Sequence, residues 1–149
     1  MDLQTYRSII LSFNNYYNDL GIVTFIDNDD INIIKFSVIP YEGIHKDNIY
    51  TITLKFNGLN DWPNIFIDSS IYNKIKTNNY INNNGYQGNE HKGICIKKLS
   101  YGYAFNNFYK YCDGEWKNYI YYIITVFNNI QDFEKGNGFK SNYKDILNL

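Results

Sequence analysis

The sequence predicts an α+β domain, and three observations carry that prediction. Apolar residues recur at three- and four-residue intervals near the amino terminus and again after Gly114, which is the spacing of an amphipathic helix. Between these stretches, short segments alternate apolar and polar residues as half-buried antiparallel strands do. A chain of 149 residues with 44% hydrophobic and 19% aromatic residues can form a real core. We expect one domain over residues 1–149.

The first predicted element is an amphipathic helix over residues 2–20. Asp2 is a candidate N-cap, and Gly21 follows as a stop signal. The apolar positions of this helix are Leu3, Tyr6, Ile9, Ile10, Phe13, Tyr17 and Leu20.

Four strands are predicted to follow as an antiparallel meander. Residues 22–26 are short and β-branched, and the polar cluster 27–30 closes them with a turn. Residues 34–38 and 52–56 alternate apolar and polar side chains, and residues 65–67 form a short fourth strand.

The second half of the chain predicts one long connection and one long helix. Residues 69–90 are rich in Asn, Lys, Tyr and Gly without a sustained period, which indicates a mostly irregular segment with a short helical turn near residues 71–75. The helix begins after Asp113-Gly114 and ends before Gly136. Its apolar stripe comprises Trp116, Ile120, Ile123, Phe127 and Ile130.

Composition excludes several classes of function. A net charge of −1 gives no sign of the broad basic surface that nucleic-acid binding uses, so we expect no nucleic-acid partner. No stretch approaches the roughly 18 apolar residues of a membrane span, and the amino terminus lacks a signal-peptide pattern, so we expect no membrane partner. Cys95 and Cys112 match no paired metal motif, and His45 with His91 lack further ligands. We therefore predict free thiols, a cytoplasmic location and no metal or cofactor.

Three short motifs occur in a specific order along the chain. Pro40-Tyr41-Glu42-Gly43 lies between the second and third strands, Asp61-Trp62-Pro63 precedes the fourth, and His91-Lys92-Gly93-Ile94-Cys95-Ile96 follows the irregular segment. With this element order, the chain resembles the E2 ubiquitin-conjugating (UBC-like) superfamily over most of its length. The resemblance implies an N-terminal helix, a four-stranded meander, a long active-site loop and a C-terminal helix.

Two departures distinguish the chain from typical eukaryotic members of that superfamily. The family's histidine-proline-asparagine motif before the cysteine is absent, because no proline occurs after Pro63. The distance from Cys95 to Trp116, 116 − 95 = 21 residues, implies an insertion over the active site. These features fit better with divergent bacterial E2-like proteins that occur beside E1-like and ubiquitin-like partners.

The resemblance implies a thioester carrier. Cys95 would accept a ubiquitin-like modifier from an E1-like activating enzyme and yield it to an amine of an acceptor protein. His91 is a candidate proton acceptor or loop-ordering donor, and Asn89, with Asn84 as an alternative, is a candidate oxyanion donor.

Other functions remain open from the sequence. Cys95 between Ile94 and Ile96 also fits a buried structural cysteine, in which case the domain is an inactive UBC/RWD-like binding module for a ubiquitin-like or defence-system partner. A cysteine hydrolase would pair Cys95 with His91 or His45. An immunity or inhibitor protein without an active site is the last alternative.

Five further residues carry expectations about packing and charge. Cys112 is expected to be structural, with a reactive thiol at a helix start as the alternative. Trp116 is expected in the core, whereas Trp62 either seals the sheet or stands exposed for a partner. Asp113 is expected, with Glu115, to complement the positive N-terminus of the second long helix.

Overall fold

The computed structural model describes residues 1–13, 17–18, 21–26, 28–40, 48–68, 81–87, 91–96, 99–100 and 102–128. In these residues the helices are α1 (Leu3–Phe13), α2 (Asn106–Cys112) and α3 (Trp116–Asn128). The strands are β1 (Tyr17–Asn18), β2 (Gly21–Ile26), β3 (Ile33–Pro40), β4 (Tyr50–Lys55), β5 (Asn64–Asp68), β6 (Ile81–Gln87) and β7 (His91–Ile96).

The first helix begins where the sequence predicts and ends earlier. Asp2 is the N-cap, since its carboxylate accepts hydrogen bonds from the Thr5 backbone N–H at 2.7 Å and the Thr5 hydroxyl at 3.1 Å. The prediction of helix through residue 20 is wrong, because Tyr17–Asn18 pairs with β2 as strand β1. Asparagine has low helix propensity, and strand pairing outweighs the apolar spacing of Tyr17.

The seven strands form one antiparallel sheet in the order β1-β2-β3-β4-β5-β7-β6. Strands β2 to β5 confirm the predicted four-strand meander. The irregular connection predicted over residues 69–90 is wrong for Ile81–Gln87, where β6 pairs with β7 despite its asparagines. Pairing with a neighbour outweighs the low strand propensity of those asparagines. The short helical turn predicted near residues 71–75 lies outside the described residues.

One set of register rows forms the sheet side of the core. Ile34 pairs with Leu54 and Leu54 with Ile65, and all three side chains are buried. The neighbouring row is built in the same way from Phe36, Ile52 and Ile67. The helices add buried residues to the same hydrophobic cluster: Ile9, Phe108, Trp116, Tyr119, Ile120, Ile123 and Ile124. The chain is therefore an α+β protein whose helices and sheet share a core.

A short helix, α2, precedes the predicted long helix. Asp113 is the C-cap of α2 and has the left-handed conformation, with φ at 54°. The prediction that Asp113 belongs to the start of the long helix is therefore wrong. Gly114 follows with φ at 71°, and a β-carbon there would lie 3.2 Å from the Tyr109 ring. The tight turn needs glycine. It lets α3 begin at Trp116, as the sequence predicts.

Candidate functional site

Cys95 lies in a regular strand. The resemblance implies a long active-site loop around this residue, but His91–Ile96 forms β7, which lies between β5 and β6 in the sheet. The expectation of a loop is wrong for these residues, because backbone pairing on both sides of β7 satisfies the groups that a loop would leave to solvent. The backbone of Cys95 is therefore held at a defined register position opposite Asn82.

The register separates Cys95 from the buried rows. Ile94 pairs with Ile65 and so extends the row of Ile34, Leu54 and Ile65 by one strand. Cys95 follows Ile94 along β7 and so belongs to the opposite face of the sheet. It shares that face with Gly93, two residues earlier, which pairs with Phe66. Phe66 is only partly buried, unlike Ile65 and Ile67 on either side of it. Cys95 thus belongs to the alternate set of positions in the sheet.

His91 shares the strand with Cys95 and pairs with Asp68 of β5. A strand rises about 3.3 Å per residue, so the four residue steps from His91 to Cys95 separate their Cα atoms by roughly 13 Å. That separation exceeds the reach of a hydrogen bond between an imidazole and a thiol on one regular strand. Asn84 lies in β6, whereas Asn89 and His45 lie outside the described residues.

The chain enters the core immediately after β7. Leu99 is fully buried and Ser100 is 3% exposed. The buried hydroxyl of Tyr119 donates a hydrogen bond to the carbonyl oxygen of Leu99 at 3.3 Å. Four residues further on, the indole Nε1–H of Trp62 donates to the carbonyl oxygen of Tyr103 at 3.0 Å. Two side chains from other elements therefore hold the segment that follows the strand of Cys95.

Trp62 is buried, which agrees with the expectation that it seals the sheet and not with the expectation that it is exposed. It is 2% exposed, and its ring contacts those of Phe105 and Tyr119 at centroid distances of 4.9 and 6.0 Å. Trp116 is also buried, as predicted, and meets Tyr119 edge to face at 5.4 Å. The sequence interpretation missed Tyr119, although its position three residues after Trp116 lies on the same helical face.

Cys112 is a buried, free thiol at the end of α2. Burial, and secondarily the nearby carboxylate of Asp113, raise the pKa of this thiol to about 12. Its position at a helix C-terminus also removes the helix-dipole argument for a lowered pKa. The expectation of a structural cysteine is confirmed, and the reactive alternative is wrong.

The described residues outside β7 supply little else for chemistry. Among them, no group of three or more His, Cys, Asp or Glu residues is arranged to hold a metal ion. In the described part of the chain, no helix has both the length and the apolar character to cross a membrane. Glu115 is exposed and lies 3.2 Å from Lys117, as a surface ion pair.

Comparisons with models of protein families, with curated proteins and with solved structures gave no match.

Proposed function

We propose that this chain is an E2-like conjugating domain of the UBC type that carries a ubiquitin-like modifier as a thioester on Cys95. The observation that carries the proposal is the register of β7, where Ile94 continues a buried row and Cys95 occupies the alternate one. Successive residues of a strand belong to opposite faces of a sheet. A cysteine outside the buried rows suits a nucleophile better than a structural thiol.

The element order supports the same proposal. A capped helix, the meander of β2 to β5, the segment with the cysteine and the long helix α3 follow one another in the order that the resemblance implies, although the cysteine lies in a strand and not in a loop. The helices and one set of sheet rows share the hydrophobic cluster, which leaves the alternate rows for recognition. The motif residues Trp62 and Pro63 are both buried at the entry to β5, next to β7 in the sheet.

The proposed chemistry is two successive acyl transfers. The Cys95 thiolate attacks the thioester carbonyl of the modifier on its E1-like activating enzyme, a new C–S bond forms, and the thiolate of that enzyme leaves. An amine of the acceptor protein then attacks the same carbonyl, the Cys95 thiolate leaves, and the amine proton passes to a base. Both steps need a reduced thiol, which places the proposed function in the cytoplasm.

We give His91 and Asn89 different proposed roles, the first from the geometry of β7 and the second from the resemblance. At roughly 13 Å along β7, His91 orders the strand entry opposite Asp68 and does not accept the thiol proton directly. Asn89 is the proposed donor to the tetrahedral oxyanion, with Asn84 of β6 as the alternative.

The test is co-expression of the chain with whatever E1-like and ubiquitin-like proteins its own genome encodes nearby, followed by intact mass and by gels with and without reductant. Wild type is expected to gain one modifier in a reductant-labile adduct, and Cys95→Ala is expected to gain none. Cys112→Ala is the matched control and keeps the adduct, because that thiol is buried and protonated. An adduct that survives Cys95→Ala would overturn the assignment of the nucleophile.

A second function is favoured by one specific observation. β7 pairs with β5 over His91–Ile94 and with β6, where Cys95 lies opposite Asn82, so the backbone of Cys95 belongs to the sheet and not to the exposed loop that the resemblance implies. That arrangement suits an inactive UBC/RWD-like module that binds a ubiquitin-like or defence-system partner. For such a module, the two cysteine variants and wild type bind the modifier equally and none forms a thioester.

A further inference from the structure

We propose that Trp62 and Tyr119 are positioning residues for Cys95, an inference that rests on the proposed function. We call this pair the aromatic clip. Both side chains are buried, and their rings stack at a centroid distance of 6.0 Å with an interplanar angle of 27°. One comes from the approach to β5 and the other from α3, so the clip joins the sheet to the helix layer.

The clip holds two carbonyl oxygens of the same short segment. Tyr119 donates to Leu99 at 3.3 Å, and Trp62 donates to Tyr103 at 3.0 Å. Both donors are side chains remote in sequence from the segment, by 20 and 41 residues. Leu99 and Tyr103 are therefore each held by a side chain from another element, in addition to the turn hydrogen bond between Tyr103 and Ser100.

The segment that the clip holds begins close to Cys95 along the chain. β7 ends at Ile96, and Leu99 is fixed three residues later. Three residues span at most about 10 Å, so a fixed Leu99 limits how far the end of β7 can move out of the sheet. If the strand end at Cys95 leaves the sheet, either the hydrogen bond between Tyr119 and Leu99 must break or the residues between Cys95 and Leu99 must extend.

The hydroxyl of Tyr119 and the indole N–H of Trp62 make hydrogen bonds that packing alone does not require. Tyr119 is fully buried among rings and aliphatic side chains, where a phenylalanine would fill nearly the same volume without a hydroxyl to satisfy. A buried hydroxyl that meets a main-chain carbonyl contributes direction as well as burial, because hydrogen bonds weaken steeply when misaligned. Two such donors aimed at one segment fix its position.

The chain offers a matched pair of variants. Tyr122 also lies on α3, and its hydroxyl donates to the carbonyl oxygen of Tyr111 in α2 at 2.9 Å. Tyr119→Phe and Tyr122→Phe therefore remove one hydroxyl each from the same helix, but only Tyr119→Phe releases the segment after β7. Trp62→Phe removes the second clip donor.

The first arm of the test measures amide hydrogen exchange of peptides that cover β7 in the intact chain, under conditions where melting temperatures show all variants folded. Tyr119→Phe is expected to speed exchange in β7 by about fivefold, the factor that loss of one typical hydrogen bond gives. Tyr122→Phe is expected to leave β7 unchanged. Equal exchange in wild type and Tyr119→Phe would overturn the proposal.

The second arm uses the same E1-like and ubiquitin-like proteins as the test of the proposed function and measures adduct formation on Cys95. For Tyr119→Phe we expect kcat lower by about fivefold with KM for the charged activating enzyme unchanged, because the clip holds the chain that follows the strand of Cys95 and is itself buried. A change in KM alone would overturn the positioning role. If wild type forms no adduct, the proposed function and the positioning role both fail, whereas the exchange arm still reports whether the clip holds β7.

Discussion

The two cysteines of this chain lie in different elements, Cys112 at the end of α2 and Cys95 in β7. Both lie beside aromatic or aliphatic neighbours, and neither belongs to a motif that marks it as a metal ligand. Cys112 is a buried member of the hydrophobic cluster, near an acidic side chain that further disfavours the thiolate. Cys95 occupies a strand position outside the buried rows. Burial therefore makes Cys112 a structural thiol, and Cys95 remains the proposed nucleophile.

At the residue scale, Cys112 is expected to resist alkylation in the folded protein. With its pKa raised to about 12, pH 8 lies 12 − 8 = 4 units below, so about one thiol in ten thousand is ionised. Iodoacetamide at pH 8, with peptide mass spectrometry, is expected to label Cys95 first and Cys112 only after denaturant is added. Labelling of both thiols at equal rates in the native protein would contradict the burial argument.

At the scale of one element, α1 depends on its N-cap. The pKa of the Asp2 carboxyl is lowered chiefly by the Thr5 backbone N–H and next by the Thr5 hydroxyl, because both hydrogen bonds favour the ionised form. A folded-state pKa below the unfolded one gives stability that is present above the unfolded pKa. This stability is lost as pH falls through the folded value.

Asp2→Ala is expected to lower the melting temperature at pH 7, because the first turn loses its side-chain acceptor. Asp2→Asn keeps an acceptor oxygen and should fall between wild type and Asp2→Ala. The advantage of wild type over Asp2→Asn is expected to shrink as the pH falls below the ordinary range of an aspartic acid, near 4. Thermal melts of the three proteins at pH 7 and at acidic pH measure this, and a constant advantage across pH would refute the role of the charge.

Elements with strong local patterns were predictable, and elements made by pairing were not. Alternation in β3 and β4 and the stripe from Trp116 onward reflect burial on one face, so periodicity alone identified them. β6 contains three successive asparagines and forms only because β7 pairs with it, and no local pattern records that contact. α2 is one short helix whose Phe108 and Cys112 face the core, too few positions to establish a period.

The candidate site was predictable in the same limited way. The Gly93-Ile94-Cys95-Ile96 motif identified the cysteine, but the register that removes Cys95 from the buried rows depends on β5, which is distant in sequence. The apolar stripe of the predicted helix comprises Trp116, Ile120, Ile123, Phe127 and Ile130 and does not include Tyr119. Its hydrogen bond to Leu99 is a tertiary contact that spacing does not predict.

At the scale of the whole molecule, the buried rows of the sheet carry the stability and the alternate rows carry little of it. Leu54 is fully buried between Ile34 and Ile65, whereas Thr53, one residue earlier, is only partly buried between Lys35 and Phe66. The two positions lie on the same strand with opposite register parity. They therefore separate the effect of burial from that of strand pairing.

Leu54→Ala is expected to lower the free energy of unfolding by about 3 kcal/mol, because truncation loses apolar burial and leaves a cavity in a row that β3 and β5 hold on both sides. Thr53→Ala is expected to cost less than about 1 kcal/mol, since it keeps the backbone pairing and empties no core position. Urea unfolding followed by circular dichroism measures both, with the slope against urea as the check that the unfolded states are comparable. If the two variants lose equal stability, the buried row is not the core of this sheet, and the register argument that sets Cys95 apart loses its physical basis.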